Sequence, residues 1–227
     1  MRCRPITKND FEKINLEAVQ QAFKTLQKVK GTLSERGWFP ATSGNISVLV
    51  KGSSFENNQP IFAISSSGKD KSIHTPEDFL VINSDGNPVF PTNLKPSAEA
   101  LIHTSIYQLI PNCKAVFHVH TIYNNLISDL YGDQRKITFT NHELIKAFDI
   151  WEEEASISIP IIENYSSIPK LAEEILRVIQ PEVPGVLIRN HGIYVWGDSD
   201  FTAKRHLEAF EFLFEYQTNM YFLKKFK

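Results

Sequence analysis

The segment Ala115-Val116-Phe117-His118-Val119-His120 combines an apolar run with two histidines that stand two positions apart. Its apolar residues predict a buried strand. In a strand, residues i and i+2 point to the same face, so both imidazoles would project into one space. Two such rings can reach one zinc ion at about 2.0–2.1 Å. The alternative is that two polar residues simply alternate out of a half-buried strand.

A third histidine occurs in a comparable setting. His191 lies in Arg189-Asn190-His191-Gly192, between two apolar runs, and the glycine permits a turn or a close approach of backbone. The chain has two cysteines, Cys3 and Cys113, which cannot form a four-thiolate zinc site or a disulfide framework. Three histidines with one open position would form a catalytic rather than a structural zinc site.

The other four of the seven histidines have weaker claims to a metal. His206 stands among charged residues of the last predicted helix and is expected to be exposed. His74 lies in a polar loop, and His142 has no assignment. His103 follows Glu99 by one helical turn, so it is placed to support that carboxylate.

Three polar segments interrupt the apolar runs and contain hydroxyls, permissive glycines or a helix start. These are the components of an anion-binding nest, and a helix start adds a favourable dipole. Each segment alone is compatible with an ordinary turn, but three in one chain favour a phosphate ester as substrate. The candidate contacts are Ser43, Gly44, Asn45, Ser66, Ser67, Gly68, Lys69 and Ser97. No dinucleotide-binding or Walker-type glycine motif is present in the sequence.

Two carboxylates stand next to these features. Glu99 follows Ser97 on the first turn of a predicted helix, and Glu143 follows a predicted strand at 137–140. The alternatives are a capping role for Glu99 and a surface helix start for Glu143. Residue types alone do not favour either over the glutamates at 152–154. The residues therefore indicate a metal enzyme that acts on a phosphorylated small molecule.

Composition narrows the class of protein. The 227 residues are 42% hydrophobic and 22% charged, and 24 basic against 26 acidic residues give a net charge of −2. This balance offers no electrostatic case for nucleic acid or a membrane surface as partner. The first ten residues hold no apolar stretch, and no apolar run approaches the roughly 18 residues of a membrane helix. We expect a single domain over 1–227 with a cytoplasmic location.

Apolar patterning predicts the secondary structure. Strands that follow one another more often than they alternate with helices favour an α/β domain with a mixed, largely antiparallel sheet covered by helices. Caps are expected at Asp10 for the first helix and at Asp198 or Ser199 for the last. Helices are predicted at 14–31, after 97, at 168–179 and after 199, and strands at 46–50, 61–65, 79–83, 115–120, 137–140, 157–161, 186–190 and 193–196.

These motifs together resemble the class II aldolase/adducin superfamily. The strings that appear in the order of that superfamily are Thr42-Ser43-Gly44-Asn45, Ser67-Gly68, Pro96-Ser97-Ala98-Glu99, His118-Val119-His120 and His191-Gly192. Longer strings are similar to its branch that dehydrates 5-methylthioribulose 1-phosphate in methionine salvage. They are Trp38-Phe39-Pro40-Ala41, Ser67-Gly68-Lys69-Asp70-Lys71, Tyr131-Gly132-Asp133-Gln134, Lys136-Ile137-Thr138-Phe139 and Glu143-Leu144-Ile145-Lys146-Ala147.

The resemblance implies a three-layer α/β/α sandwich, a homotetramer and one zinc ion per subunit. The zinc ligands would be His118, His120 and His191. Glu143 would be the acid/base residue, and Glu99 matches the proton-transferring glutamate of the aldolases.

Two other functions stay open from the sequence. One is a zinc aldolase or epimerase that acts on another sugar phosphate through the same metal and phosphate sites. The other is a non-enzymatic interaction domain like the adducin head, against which the intact His118, His120 and His191 argue.

Overall fold

The computed structural model describes residues 14–54 and 59–225, which form one eight-stranded sheet with helices on both sides. Asp10, Cys3 and the C-terminal Lys227 lie outside the described residues. The helices are α1 Leu16–Glu35, α2 Ala100–Leu109, α3 Ile122–Leu130, α4 Ile168–Val178 and α5 Asp200–Lys225. The strands are β1 Asn45–Ser54, β2 Pro60–Ser65, β3 Phe79–Ile82, β4 Ala115–Val119, β5 Lys136–Thr140, β6 Ser156–Ile162, β7 Gly185–Ile188 and β8 Gly192–Gly197.

The sheet has the strand order β3-β2-β1-β4-β8-β7-β6-β5. Every neighbouring pair is antiparallel except β6 and β7. The predicted mixed, largely antiparallel sheet is therefore confirmed. In the middle of the sheet, β4 pairs with β1 on one side and with β8 on the other, and His118 lies opposite both Asn45 and Tyr194.

Alternation along the strands divides the core into two layers. In β4, Phe117 and Val119 pack on the face covered by α1 and α5, while Val116 packs on the face covered by α2 and α4. Because strand side chains alternate between faces, a strand covered on both sides is apolar at nearly every position. This arrangement confirms the expected three-layer α/β/α sandwich. Among the described residues, no helix has the length and apolar composition needed to cross a membrane.

Local capping explains where the helices begin. The Asn15 side chain accepts a hydrogen bond from the Ala18 amide at 3.1 Å and caps α1. Of the two caps predicted for α5, Ser199 is the residue whose hydroxyl accepts from the Thr202 amide at 3.1 Å. Helix α3 is absent from the predicted elements, and it begins with a capping box in which Thr121 and Asn124 hydrogen-bond to each other.

A buried ion pair fixes the loop between β2 and β3 to α1. The Lys30 ammonium lies 2.5 Å from the Asp78 carboxylate, with both side chains almost fully buried, and 2.7 Å from the Ile73 carbonyl oxygen. The Ser34 hydroxyl of the same helix donates to the Lys71 carbonyl at 2.6 Å. This loop carries the polar segment 66–71, so α1 sets the position of one wall of the candidate site.

We predict that Lys30→Met lowers the free energy of unfolding by about 3–5 kcal/mol, because it leaves the Asp78 carboxylate buried without its cation. Urea unfolding measures the change. The control is Arg177→Met, which removes surface contacts to Glu173 and Glu174 and is expected to cost less than about 1 kcal/mol. Equal stability of the two variants would contradict the anchoring role of Lys30.

Candidate metal centre and active site

The three histidines predicted from the sequence lie together at one end of the β4–β8 pair. His118 belongs to β4, His120 follows that strand, and His191 immediately precedes β8. One nitrogen from each ring lies within 4.8 Å of the others, and the Nε2 atoms of His118 and His120 are 2.8 Å apart. Antiparallel pairing brings the end of β4 next to the start of β8, which is why His191 converges with His118 and His120, 73 and 71 positions before it in the sequence.

Hydrogen bonds orient two of these rings. The Nδ1 atom of His118 lies 2.9 Å from the Ile193 carbonyl oxygen, and that of His191 lies 3.2 Å from Asn164 Oδ1. An oxygen acceptor at Nδ1 holds the proton there and leaves Nε2 free to bind a metal. Burial lowers the pKa of His118 to about 4 and that of His120 to about 2, so these imidazoles are neutral at pH 7. Three imidazoles that converge in this way fit a divalent transition-metal ion.

Gly192 permits the close approach of the two strands at this point. A Cβ atom there would lie 2.4 Å from the Val119 carbonyl oxygen and 2.9 Å from the rings of both His118 and His120. Real Cβ contacts of this length do not occur without movement of backbone or ligand. The glycine after His191 is therefore a requirement of the triad geometry.

The Glu99 carboxylate reaches the triad from the start of α2. Its two oxygens lie 3.3 Å from His191 Nε2 and 3.5 Å from His118 Nε2, and it accepts a hydrogen bond from Asn45 Nδ2 at 2.6 Å. Burial opposes the charge on Glu99, but His118, His191 and the Asn45 hydrogen bond outweigh burial and hold the pKa of Glu99 well below its ordinary value. The site thus places an ionised carboxylate beside the three imidazoles.

A cavity of about 450 Å³ opens next to the carboxylate and His120. Seven of the eight predicted phosphate contacts line it, namely Ser43, Gly44, Asn45, Ser66, Ser67, Gly68 and Ser97. The hydroxyl oxygens of Ser43 and Ser66 are buried and have no hydrogen-bond partner within the described part of the chain. Since buried hydroxyls are nearly always paired, these two are unusual among the residues of the cavity wall.

Two consecutive residues beside this cavity have left-handed backbone conformations. Ala41 and Thr42 have positive φ angles of 49° and 67° in the turn that leads to Ser43. A β-branched residue in the left-handed region is uncommon, and such strain often marks a functional segment.

The lysine at the cavity is Lys71, whereas Lys69 lies outside it. The Lys69 ammonium pairs with the Glu77 carboxylate and does not line the cavity. The Lys71 ammonium lines the cavity and donates to the Thr42 carbonyl oxygen at 2.7 Å. Burial and the nearby Lys30 lower the pKa of Lys71 to about 8.

Glu143 stands apart from this cavity in a single copy of the chain. It is the first residue of the 3-10 helix Glu143–Phe148, its side chain is 77% exposed, and Lys146 donates to it at 2.9 Å. Glu143 does not line the cavity beside Glu99. The structure therefore brings Glu99, but not Glu143, next to the three histidines.

Two histidines outside the triad are buried in the structure. His206 is buried rather than exposed, because its Nδ1 atom lies 2.8 Å from the Trp196 carbonyl oxygen across the helix–sheet interface. His103 is fully buried and reaches Glu99 only through Asn45.

The Tyr131-Gly132-Asp133-Gln134 motif supports the segment that carries His191. The Arg189 side chain lies over Gly132, where a Cβ atom would come within 2.7 Å of its Nε atom. The Arg189 guanidinium also donates to Asp133 at 2.9 Å. The motif therefore holds Arg189, which lies two positions before the candidate metal ligand His191.

Comparison with known proteins agrees with this fold. The profile of the Class II Aldolase and Adducin N-terminal domain family matches residues 24–218. The structure superposes on an L-fuculose-1-phosphate aldolase from Thermus thermophilus with a TM-score of 0.69 and 19% identity, covering 91% of this chain and 98% of the other. A sugar-phosphate aldolase from Thermotoga maritima superposes with a TM-score of 0.68 and 19% identity, covering 90% of this chain and 97% of the other. The chain belongs to the class II aldolase and adducin family.

Sequence relatives define the branch of that family. A methylthioribulose-1-phosphate dehydratase from Persephonella marina is 50% identical over 209 residues, which cover 92% of this chain and 94% of the relative. The methylthioribulose-1-phosphate dehydratase from Bacillus subtilis is 48% identical over 207 residues, which cover 90% of this chain and 96% of the relative. The chain belongs with the methylthioribulose-1-phosphate dehydratases, which are lyases, and the resemblance noted in its sequence is confirmed.

We predict that Gly192→Ala weakens metal binding by about 10–100-fold, because the added methyl group displaces the rings of His118 and His120. Competition with a chelator, read by metal analysis of the protein, measures the affinity. Gly31→Ala in α1 is the control, since a methyl group there meets nothing within 4 Å. Unchanged affinity in Gly192→Ala would show that the triad does not bind the metal as described.

Proposed function

We propose that the protein removes water from 5-methylthioribulose 1-phosphate and forms 5-methylthio-2,3-dioxopentyl phosphate in methionine salvage. The observation that carries this proposal is the Glu99 carboxylate, which lies within 3.5 Å of two triad nitrogens and lines the same cavity as two unpaired serine hydroxyls. An acid/base group, a metal site and an anion site thus meet in one place. Relatives at about 50% identity that carry the dehydratase name support this particular reaction.

We propose one zinc ion per subunit, held by His118, His120 and His191. When bound, it would act as a Lewis acid that polarises the oxygens on carbons 2 and 3 of the substrate. Three imidazoles with one open position are the ligand set of a catalytic zinc site, and imidazole sites also accept iron, cobalt and nickel.

The serine-rich wall is assigned to the phosphate group. The buried hydroxyls of Ser43 and Ser66 are free to donate to phosphate oxygens, and the Lys71 ammonium supplies positive charge at the same wall. Ser67, Ser97, Gly44 and Gly68 complete the wall. Asn45 is instead assigned to Glu99, because its amide already donates to that carboxylate and accepts from His103.

Proton transfer is assigned to Glu99. Carbon 3 lies next to the ketone on carbon 2, so its proton is acidic and can pass to the ionised carboxylate. The hydroxyl on carbon 4 then leaves as water once it receives a proton, and the enol that remains becomes the 2,3-diketone. The atoms balance, because one hydrogen from carbon 3 and one hydroxyl from carbon 4 leave together as water.

Glu143 requires a second copy of the chain if it acts in this reaction, since it lies outside the cavity of its own copy. We propose a homotetramer in which a neighbouring copy supplies it. An apolar stripe on α3 supports self-association, because Ile122, Leu126 and Leu130 repeat every four residues and are all exposed, Ile122 by 76%. The cytoplasmic location stays a prediction.

The direct test is to incubate the zinc-loaded protein with methylthioribulose 1-phosphate and follow the absorbance of the diketone. We expect a product that retains all the carbons. We also expect Glu99→Gln to lower kcat by at least about 100-fold, because the group that accepts the proton is lost while the triad keeps its metal. Metal content of the variant is the control.

Two fragments, such as dihydroxyacetone phosphate and an aldehyde, would identify an aldolase instead. A protein without stoichiometric metal would favour the interaction domain.

The role of Glu143 is tested by mixing subunits. Glu143→Gln and Glu99→Gln are each expected to be nearly inactive with normal metal content. Co-expression of the two variants is expected to restore roughly a quarter of wild-type activity. Each site would combine Glu99 of one copy with Glu143 of its neighbour, and random assembly makes both residues intact at about a quarter of the sites. No recovery would mean that both residues act from one chain, and near-normal turnover of Glu143→Gln would remove it from the mechanism.

A further inference from the structure

A continuous line of buried polar groups runs from Glu99 into the core between the sheet and α2. Asn45 Nδ2 donates to the Glu99 carboxylate at 2.6 Å, and Asn45 Oδ1 contacts Nε2 of His103. On the other side of the ring, His103 Nδ1 lies 2.7 Å from the Ser47 hydroxyl, which lies 2.8 Å from the Tyr107 hydroxyl. Asn45, Ser47, His103 and Tyr107 are all buried.

The direction of every hydrogen bond in this line follows from its two ends. An ionised carboxylate only accepts, so Asn45 must present its NH₂ group to Glu99 and its oxygen to His103. His103 must therefore donate from Nε2. Burial lowers the pKa of His103 to about 3, so the ring is neutral, carries one proton and accepts at Nδ1.

The hydroxyls complete the same order. The Ser47 hydroxyl has one proton and donates it to His103 Nδ1. The same hydroxyl oxygen therefore accepts a hydrogen bond from the Tyr107 hydroxyl. Burial raises the pKa of Tyr107 well above its ordinary value and keeps that phenol a donor. In the resulting arrangement, Tyr107 donates to Ser47, Ser47 to His103, His103 to Asn45 and Asn45 to Glu99. Each proton therefore points along the line toward Glu99.

We propose that His103 is a positioning residue for Glu99. Its Nε2–H bond fixes the Asn45 amide so that the NH₂ group, and not the oxygen, faces the carboxylate. His103 lies behind Asn45 and does not line the substrate cavity. Without this ring, the amide of Asn45 can rotate and place its oxygen against Glu99, which repels the carboxylate and moves it from the triad. The assignment of turnover to Glu99 rests on the function proposed above.

The kinetic test compares two buried histidines on helices. We expect His103→Leu to lower kcat by about 10–100-fold with KM within about threefold and metal content unchanged. His206→Leu is the control. It also removes a buried imidazole, but that ring hydrogen-bonds to the Trp196 carbonyl oxygen and lies away from Glu99. His103→Gln supplies an amide N–H toward Asn45 and is expected to recover much of the lost kcat.

A second readout does not depend on activity. In zinc-loaded protein labelled with ¹⁵N-histidine, NMR resolves which ring nitrogen carries the proton, and the His103 signal is the one missing from His103→Gln. We expect a neutral ring protonated at Nε2. A proton on Nδ1, or an imidazolium, would overturn the proposed order of hydrogen bonds.

The two readouts separate the possible failures. If wild-type protein does not dehydrate the substrate, the proposed function fails, and the NMR result still decides the orientation of Asn45. If wild-type protein is active and His103→Leu keeps the kcat of His206→Leu, the positioning role of His103 fails alone.

Discussion

The antiparallel pairing of β4 with β8 is the interaction on which the candidate active site depends. Val119 lies opposite Ile193, so the residues just beyond these positions, His120 on one strand and His191 on the other, meet at one end of the pair. A hydrogen bond from the His118 ring to the Ile193 carbonyl joins the same two strands. The sheet therefore fixes two features at once, namely the distance between the imidazoles and the nitrogen that His118 presents. Because main-chain pairing is rigid, little further ordering is needed when a metal binds.

Sequence patterns predict those parts of the molecule whose geometry is local. His118 and His120 share a face because position parity fixes side-chain direction in a strand, and the predicted strand at 115–120 contains them both, one residue beyond the observed end of β4. Helix α3 is not among the predicted elements because it is only 9 residues long, although Ile122, Leu126 and Leu130 repeat every four residues on its exposed face. Apolar periodicity is read over windows of about 11–18 residues, so a helix of this length is easily missed.

Features that depend on distant partners cannot be predicted in this way. His103 and His206 both lie on helices with polar neighbours, and both are buried because hydrogen-bond partners on strands satisfy their rings. The choice between Lys69 and Lys71 is similar, since Glu77 holds one and the Thr42 carbonyl holds the other. In each case the fold brings the partner close, and no sequence pattern marks it. Polar burial is thus a tertiary property, set by which donors and acceptors the fold brings within about 3 Å.

The two halves of the site are built from different kinds of structure. The histidine end lies on paired strands, whereas the cavity wall lies on loops that include the left-handed Ala41 and Thr42 and are anchored to α1 through Lys30. Solved aldolases share the fold at 19% identity, so the sheet by itself does not determine which reaction follows. Such loops can exchange the residues that line the cavity without disturbing the pairing of the strands. Differences in substrate within this family are therefore expected to arise in these walls, while the strand ends that carry the imidazoles stay the same.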